Sequence, residues 1–232
     1  MSQPRERHLV LAHLRDEIRR IERRPARREG CVPSGLAEVD AALPGGGFPR
    51  GALCELAGGP ASGKTAVALS LLAGLGPEAL SAWVDVRGDL YPPAAAARGV
   101  DLARLLVVRP GLPAGSSTAS GAGAGPARDG DAARAPAVTA LWAAEALLAS
   151  GAFAAVVVDV PAARLAHGAD AMARRLQAAA EKGGAVGLWL APRRAALRVP
   201  AALRLELSSE GGRVVARRAV GGAVAGRAGH AA

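Results

Sequence analysis

Residues 51–73 read GALCELAGGPASGKTAVALSLLA and contain two apolar runs on either side of a glycine-rich loop. The run Gly51–Ala57 predicts a short buried strand, and Ala66–Ala73 predicts an apolar helix. Between them, Gly58–Thr65 matches the pattern G-x-x-x-x-G-K-[ST] in full. A strand, this loop and a helix in that order are typical of a site that binds the phosphates of a nucleotide. The stretch therefore predicts an α/β fold built around such a site.

The loop Gly58–Thr65 has the groups that a polyphosphate needs. Its glycines allow the backbone to wrap around an anion with the N–H groups pointing inward, and the following helix adds the positive end of its dipole. We expect the Lys64 ammonium to neutralise the β- and γ-phosphates and the Thr65 hydroxyl to bind Mg²⁺. The alternative is a glycine turn that ends in Lys-Thr by coincidence. The candidate nucleotide-binding residues are Gly58, Gly59, Pro60, Ala61, Ser62, Gly63, Lys64 and Thr65.

A candidate metal ligand lies in the most apolar run of the chain. The run Ala154–Val160 contains three consecutive valines followed by Asp159. Open α/β sheets bind ligands at the carboxyl ends of their strands. We therefore expect Asp159 to hold Mg²⁺ through a water molecule, together with Thr65. A turn-forming role at the end of the strand is the alternative.

Apolar runs that predict strands alternate with stretches that predict helices along the rest of the chain. Mostly apolar strands in this order indicate a mainly parallel sheet covered by helices on both faces. The last two runs, joined around Ser209–Gly212, lack an intervening helix and predict an antiparallel hairpin at one edge. The predicted strands are Ala82–Val86, Leu105–Val108, Ala154–Val160, Ala185–Leu190, Leu203–Leu207 and Val214–Ala219, and the predicted helices are Val138–Leu148 and Ala169–Ala180.

Composition divides the chain into an arm, a core and a tail. Residues 1–30 predict a basic helical arm, because apolar residues recur at three- and four-residue steps and arginines occupy the other faces. Residues 31–220 are the predicted nucleotide-binding core. Within it, residues from about 111 to 136 contain almost no bulky side chains and predict a flexible insertion. Residues 221–232 have a similar composition and predict a disordered tail.

The overall composition favours a globular protein with anionic partners. The 232 residues are 50% hydrophobic and carry a formal net charge of +9. No stretch approaches the ~20 apolar residues of a membrane helix, so a cytoplasmic location is expected. The two cysteines, Cys31 and Cys54, build no disulfide framework, and the histidines show no metal-ligand spacing. An aromatic content of 3% leaves little material for stacking single-stranded bases. Trp83, Trp142 and Trp189 are expected in the core.

Several motifs on both sides of the loop resemble the RecA-type core, from about Cys31 to Val220. Within that superfamily the chain is most similar to the ImuA family, the RecA-like accessory proteins of bacterial translesion DNA synthesis. The shared features are a basic N-terminal helix, a Leu-Pro-Gly-Gly-Gly motif and a shortened C-terminal half. The motifs that carry the resemblance are Val32–Leu36, Val39–Asp40, Leu43–Gly51, Ala82–Asp85 and Arg98–Leu102.

This resemblance implies an ATP- and Mg²⁺-binding protein of the DNA-damage (SOS) response. It implies a bridging role in mutagenic translesion synthesis between an ImuB-type protein of the polymerase family, a DnaE-type polymerase, and DNA or RecA. The N-terminal arm is expected to dock on a partner or to mediate homo-oligomerisation. The implied location is the bacterial cytoplasm, at the nucleoid.

The chain departs from the RecA pattern at the position that activates water. RecA places a glutamate two residues after the strand that corresponds to the one ending at Asp85, whereas this chain has Arg87. A cation cannot accept the proton. Asp89 is the nearest remaining candidate for a base, but it is displaced by two residues. The polar pair at the end of the Ala185–Leu190 strand is replaced by Ala191-Pro192. We therefore expect ATP binding with weak or absent hydrolysis.

Further arginines match regions where RecA contacts phosphates. Arg217 and Arg218 fall on the predicted hairpin, where the resemblance implies contact with the phosphates of a neighbouring subunit; a solvated edge strand is the alternative. Arg193, Arg194 and Arg198 lie in a short loop that corresponds to a DNA-binding loop, and they are candidates for DNA contacts.

Two other functions remain open. A RecA- or RadA-like recombination ATPase would hydrolyse ATP in response to DNA. A SulA-type inhibitor of cell division would act by protein contact alone, and the intact Gly58–Thr65 loop argues against it.

Overall fold

The computed structural model describes residues 30–110, 131–160, 169–192 and 201–218. Besides the strands and helices given next, the described residues contain two short 3₁₀ turns, Pro44–Gly46 and Leu102–Arg104. The strands are β1 (Cys31–Val32), β2 (Phe48–Pro49), β3 (Ala52–Gly58), β4 (Leu80–Asp85), β5 (Leu105–Val108), β6 (Phe153–Asp159), β7 (Val186–Ala191), β8 (Leu203–Glu210) and β9 (Arg213–Arg218). The helices are α1 (Ala37–Ala41), α2 (Lys64–Ala73), α3 (Pro92–Ala97), α4 (Asp131–Ala149) and α5 (Ala169–Gly183).

The central sheet has seven strands in the order β5-β4-β6-β7-β3-β8-β9. All neighbouring pairs are parallel except β8 and β9, which form an antiparallel hairpin at one edge. The mixed α/β architecture and the hairpin expected from the sequence are thus confirmed. The short strands β1 and β2 pair separately, antiparallel to each other. This order places the carboxyl ends of β3, β4, β6 and β7 along one edge of the sheet.

Both faces of the sheet are buried, which explains why its central strands are apolar at successive positions. In β3, Cys54 and Leu56 pack in a core with α2 on one face. Leu53 and Ala57, at the alternate positions, pack in a second core with α4 and α5. Every residue of β3 is buried as a result. The strand that leads into the phosphate loop is therefore held rigidly from both sides.

Helix α4 differs from the sequence-based prediction in two respects. It begins at Asp131, so residues 131–136 are helical although they were assigned to the flexible insertion. The part of that insertion from 111 to 130 lies outside the described residues. Trp142 was expected in the core, but it is 65% exposed, whereas Trp83 and Trp189 are buried. The buried face of α4 contains the adjacent Leu141, so Trp142 points away from the sheet.

The sequence also led to predictions about the two cysteines and about membrane helices. Cys31 and Cys54 are free, as expected, and burial raises the pKa of the Cys54 thiol to about 12. Among the residues in the four described ranges, no helix has both the length and the hydropathy to cross a membrane. The predicted tail and all of the predicted arm except Gly30 lie outside these ranges.

Candidate phosphate-binding site

The phosphate loop connects the end of β3 to the start of α2. Gly63 precedes α2 with a left-handed φ of 91°, and no side chain caps the helix. Ala61 has a φ of 55°, the only positive value of a non-glycine residue in the described parts of the chain. An uncapped helix N-terminus presents its first N–H groups and its positive dipole end to the loop. The backbone thus has the form that an anion-binding loop requires.

Two of the loop glycines are required by close packing. A Cβ on Gly58 would lie 2.8 Å from the carbonyl oxygen of Leu207 on β8 and would overlap the side chain of Ser62. A Cβ on Gly63 would lie 2.5 Å from Val214 Cγ2 on β9. The hairpin therefore packs directly against the loop. By contrast, a Cβ on Gly59 would meet no atom within 4 Å.

We predict that Gly63→Ala destabilises the protein far more than Gly59→Ala. Alanine at 63 adds a steric overlap with Val214 and a strained left-handed backbone, which together cost about 2 to 4 kcal/mol. At this chain length the loss corresponds to a fall in Tm of about 4 to 16 °C. Thermal unfolding followed by circular dichroism measures it. In Gly63→Ala/Val214→Ala part of the loss should be recovered, and equal Tm values for the two single variants would contradict the prediction.

The Lys64 ammonium lies inside the loop and is bonded to the loop's own backbone. Its Nζ donates to the carbonyl oxygens of Gly58 at 2.7 Å and Gly59 at 2.8 Å, and to Ser62 Oγ at 3.3 Å. Burial lowers the pKa of this ammonium, an effect that Asp159 opposes and Arg87 reinforces. A bound phosphate would exchange with these neutral oxygens, which bind a cation less strongly than an anion does.

Asp159 ends β6 at the same level as Asp85 at the end of β4, since the two residues are register partners. The Asp159 side chain is mostly buried, and this burial raises the pKa of its carboxyl to about 6. The neighbouring Arg87 guanidinium opposes that shift. The charges of Lys64, Arg87 and Asp159 therefore act on one another. The Lys64 ammonium and the Asp159 carboxylate are thus close enough for each to affect the pKa of the other.

Arg87 lies between two carboxylates at this edge. Its Nε is 2.8 Å from Asp89 Oδ2, and its Nη2 is 3.7 Å from Asp159 Oδ1. The guanidinium therefore lies beside Asp159, the predicted metal ligand, and forms an ion pair with Asp89, the predicted base. Asp89 is also 57% exposed. This arrangement places a positive charge beside Asp159 and engages the Asp89 carboxylate in an ion pair.

A buried carboxylate, Asp85, holds the loop that carries Arg87. Asp85 Oδ1 accepts the backbone N–H groups of Gly88 and Asp89, and Oδ2 accepts that of Leu90. Arg109, which follows β5, donates from Nε to Asp85 Oδ2 at 3.1 Å and from Nη2 to the Leu90 carbonyl at 2.8 Å. We call Asp85 and Arg109 the loop clamp. From the sequence, Asp85 was expected only as part of a motif, and Arg109 was not predicted.

The remaining predicted site residues lie on α2, on β9 or outside the described residues. Thr65 is exposed in the first turn of α2. Arg217 and Arg218 lie on β9, opposite Glu206 and Leu205, and both are exposed. Arg193, Arg194 and Arg198 lie outside the described residues. Ala191 is the last residue of β7, so an apolar side chain ends the strand between β3 and β6.

Known proteins resemble part of this chain. The RecA N-terminal domain family matches residues 13–116. RecA of Picosynechococcus sp. is 44% identical over 80 residues, which are 34% of this chain and 23% of that protein. RecA of Salinispora tropica is 40% identical over 94 residues, 40% of this chain and 27% of that protein. RecA of Streptococcus pyogenes is 36% identical over 94 residues, with coverages of 40% and 25%.

These matches span about a quarter of the length of the RecA proteins. Together with the sheet order and the phosphate loop, they support a place in the RecA-like superfamily and a nucleotide-binding core. They do not extend to the finer resemblance to the ImuA family.

Proposed function

We propose that the chain is a nucleotide-binding, RecA-like accessory protein of SOS-induced translesion DNA synthesis, of the kind found in the ImuA family. One observation carries the proposal. A complete phosphate loop is combined with a guanidinium, that of Arg87, which pairs with Asp159 and stands where the resemblance to RecA implies a glutamate. Such a site can bind a nucleotide, but its residues are poorly arranged to hydrolyse one. A protein of this kind acts through nucleotide-dependent contacts with partners.

ATP fits the residues at this site. The backbone of the phosphate loop, Lys64 and the N-terminus of α2 would hold the triphosphate, and the space at Gly59 leaves one side of the loop open. Mg²⁺ would draw on the Thr65 hydroxyl and on Asp159, and it would add positive charge at the phosphates. The Arg87 guanidinium beside Asp159 is the feature that does not match a dedicated metal site.

The proposed partners are an ImuB-type protein, a DnaE-type polymerase, and DNA or RecA, in the bacterial cytoplasm at the nucleoid. The net charge of +9 supports binding to DNA or to an acidic protein face. In this proposal, residues 1–30 dock a partner or a second copy of the chain. Arg217 and Arg218 contact phosphates, and DNA is contacted by Arg193, Arg194 and Arg198.

Deletion of the gene in its host, followed by DNA damage, tests the proposal. We expect the deletion to abolish damage-induced mutation while leaving homologous recombination unchanged, because the chain acts in translesion synthesis rather than strand exchange. The wild-type chain should restore mutation, and a chain lacking residues 1–30 should not. The purified full chain should also retain the host's ImuB-type and DnaE-type proteins on a column. Normal induced mutation in the deletion strain would overturn the proposal.

A recombination ATPase is the second candidate, and similarity to RecA favours it. Phosphate release distinguishes the two. The translesion proposal expects little release, with or without single-stranded DNA, because Arg87 cannot accept a proton. Rapid, DNA-stimulated release that disappears in Lys64→Ala would establish the ATPase instead.

A further inference from the structure

We propose that Arg87 is a built-in cation of the phosphate site, so that ATP binds with little dependence on Mg²⁺. This inference rests on the proposed nucleotide binding and extends it, because it identifies which positive charges neutralise the triphosphate. The property at issue is the affinity for ATP, not its hydrolysis.

Arg87 is paired through Nε with the exposed Asp89 carboxylate at 2.8 Å, and its other contact leaves Nη2 available to an anion. At 3.7 Å, its Nη2 and Asp159 Oδ1 form an ion pair that is too long for a hydrogen bond. The side chain is 53% exposed, so phosphate oxygens can reach it from solvent. Guanidinium groups bind phosphate with paired hydrogen bonds, which are stronger than bonds between neutral groups. Exchange of the long Asp159 contact for a phosphate contact is therefore favourable.

The loop clamp keeps Arg87 at the site. Three consecutive backbone N–H groups, of residues 88, 89 and 90, are bonded to the Asp85 carboxylate. The Asp85 side chain is fully buried and is also paired with Arg109. These bonds fix the backbone within one residue of Arg87. The guanidinium is thus held beside Asp159, with less conformational entropy to lose on binding an anion.

The charges at this edge of the sheet support the same conclusion. Two cations, Lys64 and Arg87, are balanced by two carboxylates, Asp89 and Asp159. A glutamate in place of Arg87 would make the group negative, and a triphosphate would then need a metal ion to bind there. With Arg87 the group is neutral overall, so its two cations can face a triphosphate without an excess of negative charge around them.

Calorimetric titration of the full-length protein with ATP tests this role. One titration contains Mg²⁺ and the other contains EDTA, at equal ionic strength so that screening is the same. For the wild type we expect the two affinities to agree within about threefold, since the protein supplies the second cation. For Arg87→Gln we expect the affinity for ATP to fall below that of the wild type by about tenfold or more in EDTA, and by less than about threefold with Mg²⁺. Arg87→Lys should recover part of the loss.

Arg175→Gln is the matched control. Arg175 is 56% exposed and paired with the Glu145 carboxylate on α4, so it has the same kind of environment as Arg87 without being at the phosphate site. It should behave as the wild type in both titrations. A wild type that loses more than about tenfold in EDTA, or an Arg87→Gln variant with the wild-type ratio, would overturn the role of Arg87 while leaving nucleotide binding intact. No ATP binding in either buffer would overturn the proposed function, and this inference with it.

Discussion

Replacement of Lys64 by alanine is expected to lower the affinity for ATP by about 100-fold. The ammonium lies within the loop, bonded to the Gly58 and Gly59 carbonyl oxygens, where the proposed phosphates would bind. Its removal takes away a compact, partly desolvated positive charge for which no nearby group in the loop can substitute. Calorimetric titration with ATP in the presence of Mg²⁺ measures the loss.

The chain offers a matched control, because Lys182 is its only other lysine. Lys182 is exposed in the last turn of α5, and Lys182→Ala should bind ATP as the wild type does. Lys64→Arg should bind poorly, since a guanidinium does not fit between the loop carbonyl oxygens. Both Lys64 variants should remain folded, because the core positions of α2 are apolar. Unchanged ATP affinity in a folded Lys64→Ala protein would contradict the phosphate-site assignment.

The strands could be predicted well from the sequence because their burial leaves a simple pattern. In β6, for example, Ala154 to Val158 are all buried, and an unbroken apolar run is what a strand covered on both faces requires. The start of α4 was harder to predict. Its first half is rich in small residues, which resemble a linker in composition, yet Ala137 and Ala140 are fully buried against the sheet. Alanine has high helix propensity, and its small side chain permits such close packing.

The phosphate loop could be recognised in the sequence because its residues are contiguous, whereas contacts that form only through the fold were missed. Gly58 to Thr65 form one uninterrupted motif, so its chemistry could be derived from residue type and spacing. The loop clamp joins residues that are 24 positions apart. Because Arg109 directly follows β5, its approach to Asp85 depends on β5 and β4 being adjacent parallel strands, and sequence periodicity does not give strand order.

The role of Arg87 shows the same limit. Its presence in place of a glutamate could be seen in the sequence, and weak hydrolysis was expected from it. Its approach to Asp159 could not be seen, since that contact requires Asp85 and Asp159 to be register partners on neighbouring strands. Arg87, which stands where the resemblance implies a glutamate, therefore also brings a positive charge next to Asp159.

Asp85→Ala is expected to be the most destabilising change near the site. It leaves three backbone N–H groups without their carboxylate and strands the Arg109 guanidinium, which is only 27% exposed, without its partner. Removal of one member of a buried ion pair costs about 3 to 5 kcal/mol. At this chain length the cost corresponds to a fall in Tm of about 6 to 20 °C. Thermal unfolding followed by circular dichroism measures it.

Two neighbouring variants show whether the clamp itself is responsible. Asp89→Ala removes an exposed carboxylate four residues away, whose ion pair is worth about 0.5 kcal/mol, so its Tm should change little. Asp85→Asn keeps an acceptor oxygen but loses the charge that pairs with Arg109, so its Tm should lie between those of Asp85→Ala and the wild type.

The loop clamp also predicts an effect beyond stability. Because release of residues 86–90 frees Arg87 to leave Asp159, folded Asp85→Asn should depend more strongly on Mg²⁺ for ATP binding, as Arg87→Gln does. An Asp85→Ala protein with the wild-type Tm would show that Asp85 does not hold this loop.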